Sequence, residues 1–280
     1  MSTAHVLILG AIAGGTIFLG LPIGRLQNLS AAARAGLSAL ATGILIFLLW
    51  DVLSGAVEPI ETALDDRHWG RFSWLALLGL AGFGLGLMAL VYYAEWMKRK
   101  AHRRETPLVG PGAAALDEFE GRTWLESLSP GKRLALLIAV GIGVHNFGEG
   151  LAIGQAAANN ATALAVTLIV GFALHNATEG FGICGPLMGE GTRPSWEFLG
   201  ALGLIGGGPT FLGTLLGNAW SSEAMSVVFF AVAAGSILYV VVQLLEVCRR
   251  YAMPVVVGWF LLGGLFLGFV TDFVLEAAGG

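Results

Sequence analysis

The sequence predicts an all-α integral membrane protein: eight transmembrane helices in a helix bundle, both termini on the external side, with the fourth and fifth helices at the centre. Three observations predict it. Of 280 residues, 56% are hydrophobic and only 12% charged, whereas soluble domains carry about 25% charged residues. Eight apolar stretches reach or approach the length of about 20 residues that a helix needs to cross the hydrocarbon core. The basic residues gather in alternate connections, as they must if consecutive helices cross in opposite directions and positive charge stays on the cytoplasmic side.

The spans lie in one transmembrane domain covering residues 1–280. The first, 5–23, lacks a basic stretch ahead of it and ends in Leu21-Pro22-Ile23 rather than in small residues suited to cleavage, so it reads as a span and not as a signal peptide. The second, 35–57, opens after Arg25 and Arg34 and closes on the acidic run Glu58, Glu61, Asp65, Asp66. The third, 72–97, stops at Lys98-Arg99-Lys100, and the fourth, 134–158, follows Lys132-Arg133. A short link at Asn159-Asn160 leads into the fifth, 161–188, and Arg193 separates it from the sixth, 196–220. The seventh, 224–248, runs into Arg249-Arg250, and the eighth, 254–278, starts at Pro254. Alternating these connections across the membrane puts 13 of the 15 basic residues on one side. Residues 98–133, with Pro107, Pro111 and Pro130, read as a flexible cytoplasmic linker.

Glycine accounts for 42 residues. Within spans it lets helix backbones approach closely where no hydrophobic drive acts between helices. The run Gly206-Gly207-Gly208-Pro209 is expected to break or kink the sixth helix. The net charge of -4 and the scattered basic residues give no surface for nucleic acid. Cys184 and Cys248 lie in separate apolar stretches with no CxxC spacing, which indicates neither a disulfide framework nor a thiolate zinc site.

The fourth span contains His145-Asn146-Phe147-Gly148-Glu149-Gly150, and the fifth contains His175-Asn176-Ala177-Thr178-Glu179-Gly180. A helix advances about 100° per residue, so relative to His145 the glutamate lies at about 40° and the asparagine at about 100°. Each motif therefore presents His, Glu and Asn on one face, and the short link makes the two helices antiparallel neighbours. That pattern suggests two adjacent metal positions, one ringed by His145, Glu149, His175 and Glu179, the other by Asn146, Glu149, Asn176 and Glu179. Imidazole with carboxylate suits zinc and its first-row neighbours, including iron and manganese, and admits cadmium; amide and carboxylate oxygens make a harder site. Polar residues in a span also serve as glue between helices. An ionised carboxylate at mid-membrane costs about 2.5–3.5 kcal/mol, and intramembrane acids mark ion pathways.

These residues resemble the ZIP (Zrt/Irt-like) family of divalent-metal transporters, whose fourth and fifth helices carry an H-N-x-P-E-G type motif. The likeness extends to the eight spans, the long connection after the third, and Ala233-Ala234-Gly235 followed by Leu238-Tyr239-Val240-Val241 in the seventh. It implies a multi-pass protein of the cytoplasmic membrane, commonly a homodimer, that imports zinc, iron or manganese as transported substrate through a binuclear centre while one helix bundle slides against another. Gly148 and Thr178 stand where the family has proline. The bend near the ligands is then milder or arises otherwise, since glycine can bend a helix and a threonine hydroxyl can bond back to a carbonyl. The linker holds one histidine, His102, so no metal-sensing loop is indicated.

Asp51, preceded by Trp50 near the outer end of the second span, resembles the polar residue at the family's inlet. Gln243 and Glu246 are candidates for the exit side or the second metal position, although Glu246 is equally placed to pair with Arg249. Two rival functions share some of this pattern. A membrane-embedded di-metal carboxylate enzyme would need E-x-x-H pairs and further glutamates from other helices, whereas here the order is H-x-x-x-E with two acids, so no enzyme is expected. A passive metal channel would use the same ligands with different kinetics, and chelating residues at mid-path favour a carrier.

Overall fold

The computed structural model describes residues 3–26, 29–105, 128–158, 162–189, 192–219 and 222–277, and these are helical almost throughout, with no strand among them. Helix α1 (Thr3–Gly15) continues after Thr16 into a short helical turn, Ile17–Gly20, and a 3-10 turn, Leu21–Arg25. Then come α2 (Ala31–Asp65), α3 (Trp69–Glu105), α4 (Pro130–Ala158) and α5 (Thr162–Cys184), which ends in a 3-10 turn over Gly185–Gly189. The last three are α6 (Trp196–Ala219), α7 (Glu223–Arg250) and α8 (Pro254–Ala277). The sequence marks several of these ends. Ser30 caps α2, its Oγ accepting the Ala33 N–H at 3.1 Å. Prolines open α4 and α8, where a missing N–H costs no intrahelical bond. Arg249 and Arg250 close α7, placing cations at the negative end of the helix dipole.

Seven helical stretches among the described residues are long and apolar enough to cross a bilayer: Ala4–Arg25, Ala31–Asp65, Trp69–Trp96, Pro130–Ala158, Trp196–Ala219, Glu223–Arg250 and Pro254–Phe273. Helix α5, 23 residues long, is partly outside the described side chains. Of the seven, α4 is the most enclosed, with 78% of its most apolar stretch buried, against 11% for α8.

Three features differ from the sequence expectation. Helix α2 continues past residue 57 to Asp65 with Pro59 inside it, and α3 carries the basic run on to Glu105. Lysine and arginine are good helix formers once a helix has started, and the Glu95–Arg99 pair (3.1 Å) staples one turn of this extension. With α4 beginning at Pro130, the connection is shorter at both ends than 98–133, and residues 106–127 lie outside the described residues. Finally, the Gly206–Pro209 run does not break α6, which is continuous from Trp196 to Ala219. Pro209 cannot donate to the Ile205 carbonyl, but that oxygen lies against the backbone of α4, only 2.2 Å from where a Cβ on Gly143 would stand. The next carbonyl, of Gly206, accepts a bond of 2.9 Å from the Asn146 side chain. A neighbouring helix thus supports the stretch that proline weakens.

The same close approach repeats along the whole α4–α6 seam, the most extensive helix pair among the described residues. A Cβ would fall 2.1 Å from the Thr210 oxygen at Gly150 and 2.4 Å from the Thr214 oxygen at Gly154; in return, Gly213 and Gly217 of α6 meet the carbonyls of Phe147 and Leu151. Residue numbers rise together on both sides, so α4 and α6 run in the same direction. By the same reasoning α2 runs with α8 (Gly43 against Leu261, Gly268 against Phe47) and α3 with α7 (Gly82 against Val228, Gly86 against Val232). Helix α1 opposes α6 (Gly10 against Thr214, Gly14 against Gly207).

The helices sort into two groups. One comprises α1, α4, α5 and α6; the other, α2, α3, α7 and α8, is held by the α2–α8, α3–α7 and α2–α7 pairs. The groups meet mainly where α7 packs on α4, Gly141 lying under Val240 and the Ser236 hydroxyl donating to the Gly141 carbonyl at 3.1 Å. One end of the assembly gathers basic residues. There Arg25 donates to the Pro194 carbonyl and lies over Trp196, Arg34 donates to the Met188 carbonyl, and Arg133 and Arg250 line a common cavity. Arg71 pairs with Glu223 at the other end.

Candidate metal centre

Near the middle of α4, where a membrane helix would be expected to carry only apolar groups, His145, Asn146 and Glu149 are all buried. Asn176 and Glu179 of α5 are buried as well. Within α4 the i, i+4 spacing brings the His145 Nε2 to 2.9 Å from Glu149 Oε1. Across the interface Glu179 addresses two residues of α4 at once. Its Oε1 lies 3.7 Å from His145 Nε2, and its Oε2 accepts from Asn146 Nδ2 at 3.1 Å. One carboxylate therefore reaches both the histidine and the asparagine of the α4 motif.

The two asparagines are held alike. Asn146 Nδ2 also donates to the Gly206 carbonyl of α6 at 2.9 Å, and Asn176 Nδ2 donates to the Ala13 carbonyl of α1 at 3.1 Å. Carbonyl acceptors fix which end of each amide is nitrogen, so both Oδ1 atoms point elsewhere. Both are buried with no hydrogen-bond partner among the described residues. A buried acceptor without a donor costs about 1–3 kcal/mol, and a cation relieves that cost.

The structure thus brings together His145, Asn146, Glu149 and Glu179, and places Asn176 on α5 with its amide nitrogen committed to α1. His175 belongs to α5, and its side chain lies outside the described residues. Among the described residues no three His, Cys, Asp or Glu side chains stand in an arrangement ready to hold a metal ion; His145 Nε2 and Glu149 Oε1 stand 2.9 Å apart. Helix α4 is unbroken through Gly148, which faces Phe230 and Ala233 of α7 at ordinary contact distance, and α5 is unbroken through Thr178.

The remaining candidates are dispersed. Asp51 is exposed on α2 beside the exposed Trp50. Glu246 is half exposed and lies 3.7 Å from both Arg249 and Arg250, the ion pairing that its spacing allows. Gln243 lines a cavity of about 560 Å³ at the basic end, together with Leu137, Tyr239, Arg133 and Arg250. Leu137 is eight residues before His145 on α4, about 12 Å along the helix axis. Between the two levels the structure is filled by Ile138, Ile142 and Ile237, all fully buried. Sequence reasoning missed the backbone partners of the asparagines, because a carbonyl of α1 or α6 carries no residue-type signal.

Residues 125–249 match the family described as ZIP zinc transporter. The matched stretch takes in α4, α5, α6 and nearly all of α7, and so both motifs. No curated protein matches the chain.

Proposed function

From the premise that residues 125–249 form a ZIP zinc transporter family domain, which implies divalent-metal transport, we propose that this chain carries transition-metal dications through the cytoplasmic membrane toward the cytoplasm. Zinc is the leading substrate, with iron, manganese and cadmium admitted by the same ligands. The reading takes all eight long helices as spans with the basic end cytoplasmic, in keeping with the positive-inside rule, and both termini outside.

The observation that carries the proposal is the Glu179 carboxylate shared between His145 and Asn146, with Glu149 on the same imidazole. In a binuclear site His145, Glu149, Glu179 and His175 would hold one ion, while the oxygens of Asn146 and Asn176 with the same two glutamates would hold the other. Metal entering the histidine side must displace any proton from the imidazole, and two carboxylates offset the charge of one dication. The burial of His145, Glu149 and Glu179, none more than 3% exposed, supports a carrier over an open channel, because an ion held there leaves only if helices move. The cavity lined by Gln243 is the natural exit once the isoleucine layer parts, and sliding of the α1/α4/α5/α6 group past α7 would part it. A homodimer belongs to the proposal; the apolar faces of α3 and α8, including Trp74 and Trp259, offer surface for it and for lipid alike.

The test is uptake into proteoliposomes across zinc, iron(II), manganese, cadmium, magnesium and calcium. The expected result is saturable uptake of the first four and little of the last two; uptake of none, by folded protein, would overturn the proposal.

A further inference from the structure

A guanidinium stays charged in any surroundings a protein offers, and its planar fork matches the oxygens of a phosphate group. A backbone carbonyl can satisfy one of its N–H groups, but it carries no charge to set against the cation. At the basic end of the protein such carbonyls recur. Arg133 Nε donates to the Leu128 carbonyl at 2.9 Å. Arg34 donates to the Met188 carbonyl at 3.1 Å, and its Nε is buried with no hydrogen-bond partner among the described residues. Arg250 has the Glu246 carboxylate at 3.7 Å, but Arg249 has it at the same distance, and all three side chains are at least half exposed. A pair of that kind contributes little.

Arg133 and Arg250 come from different helices, α4 and α7, yet both line the cavity of about 560 Å³ at this end. Gln243, Tyr239 and Tyr251 add an amide and two hydroxyls, and no acidic residue is among the described residues that line it. Burial pushes the Tyr251 hydroxyl up from its ordinary range, and the charge of Arg34 works against that, so a third guanidinium acts on the same wall. A space with two cations, neutral hydrogen-bonding groups and no carboxylate selects an anion. Cavities of about 300–1,000 Å³ take small organic ligands, so this one has room for more than a bare phosphate ion. Leu134, Leu137 and Val247 supply apolar wall for the remainder. Basic pockets between helices at the cytoplasmic side of a membrane are suited to the headgroups of anionic lipids.

We propose that this cavity binds an organic phosphate, with Arg133 and Arg250 taking the phosphate group and the apolar wall taking the carbon skeleton. The headgroup of an anionic phospholipid and a soluble glycerol phosphate share that chemistry. The site is separate from the His145 and Glu179 layer, and its occupation does not depend on metal transport. It is compatible with an exit through the same cavity, because an anion there screens the two guanidiniums from a departing dication.

The experiment measures dissociation constants on the full chain in a neutral detergent, with dioctanoyl phosphatidylglycerol, dioctanoyl phosphatidylcholine and glycerol phosphate as probes. Two neighbouring arginines make the comparison, because they share one carboxylate and only Arg250 lines the cavity. Arg250→Gln should weaken binding of the anionic probe by about tenfold or more, the least that one lost hydrogen bond to a charged group implies. Arg249→Gln, which removes the same charge from the same helix end, should bind as the parent does. Arg133→Gln and its neighbour Lys132→Gln repeat the comparison on α4, and Arg250→Gln keeps the test open if loss of the Leu128 tie unfolds Arg133→Gln. Phosphatidylglycerol bound with this arginine dependence while glycerol phosphate is not assigns a lipid headgroup; glycerol phosphate bound with the same dependence assigns a soluble phosphate. Equal losses in Arg250→Gln and Arg249→Gln overturn the proposal, as does a parent that binds neither anionic probe or binds phosphatidylcholine as tightly as phosphatidylglycerol. None of these outcomes bears on metal uptake, so the transport reading stands or falls separately.

Discussion

The two helix groups bury polar residues in different ways. Among the described residues of α2, α3, α7 and α8 the buried polar ones are Ser38, Thr42 and Ser236, of which Thr42 and Ser236 return their hydroxyls to backbone carbonyls. Each such bond is worth a net 0.5–1.5 kcal/mol or so, about 1 on average, and none requires anything from outside the protein. Among the described residues of α1, α4, α5 and α6 the buried set is His145, Asn146, Glu149, Asn176, Glu179, Thr210 and Thr214. Two of these are carboxylic acids, each costing about 2.5–3.5 kcal/mol at the bilayer centre when ionised, and Asn146, Asn176 and Thr210 each leave an oxygen without a partner among the described residues. The first group also leaves one buried hydroxyl, that of Ser38, without a partner among the described residues; what sets the second apart is the two buried acids beside its unpaired oxygens, a composition that a cation would complement. Nothing in the packing demands the difference, since both groups are held by the same glycine-mediated backbone contacts.

The largest expected effect separates the groups by function. Glu149→Ala should lower zinc uptake by about a hundredfold or more, since even supporting residues around a metal cost 10–100-fold or so. Ser236→Ala, in the other group, should cost about 1 kcal/mol of stability and leave the ligands in place. Uptake into proteoliposomes, read beside the melting temperature of each variant, distinguishes them; similar losses in both would dissolve the contrast.

A second variant pair tests the shared packing. A side chain at Gly150 meets the Thr210 carbonyl at 2.1 Å, whereas one at Gly84 of α3 meets nothing within 4 Å. Gly150→Val should therefore destabilise the detergent-solubilised protein by at least about 1–3 kcal/mol, and Gly84→Ala should leave its melting temperature unchanged.

A finer effect is expected from the asparagines. Replacing Asn146 and Asn176 together by Ala should reduce bound metal from two ions per chain to one and slow or re-tune transport without abolishing it, because the histidine-side ligands remain. Elemental analysis of the purified protein checks the count. An unchanged count of two would mean that the amides serve only to tie α4 to α6 and α5 to α1.

Much of this was legible in the sequence. The apolar stretches and the alternation of basic residues predicted the helices, and the repeated H-N-x-x-E-G string marked His145, Asn146, Glu149, Asn176 and Glu179, all of which are buried, because helical angles follow directly from spacing. The helix ends beyond the apolar stretches were less legible: hydropathy marks where lipid stops, not where hydrogen bonding stops, so α2 and α3 ran past their expected ends. Continuity of α6 through Pro209 was hidden as well, since the support comes from α4 and not from α6 itself. The anchoring of the asparagines on Gly206 and Ala13 was out of reach for the same reason.

The central claim is that the ion being moved rests on the carboxylate shared by the two sides of the α4–α5 motif. Zinc uptake and bound zinc measured on the same proteoliposome preparations of the parent and of Glu179→Ala test it most directly. Loss of both quantities in a variant that is folded and inserted like the parent is the predicted result, and a folded Glu179→Ala protein that takes up zinc at the parental rate would contradict the account.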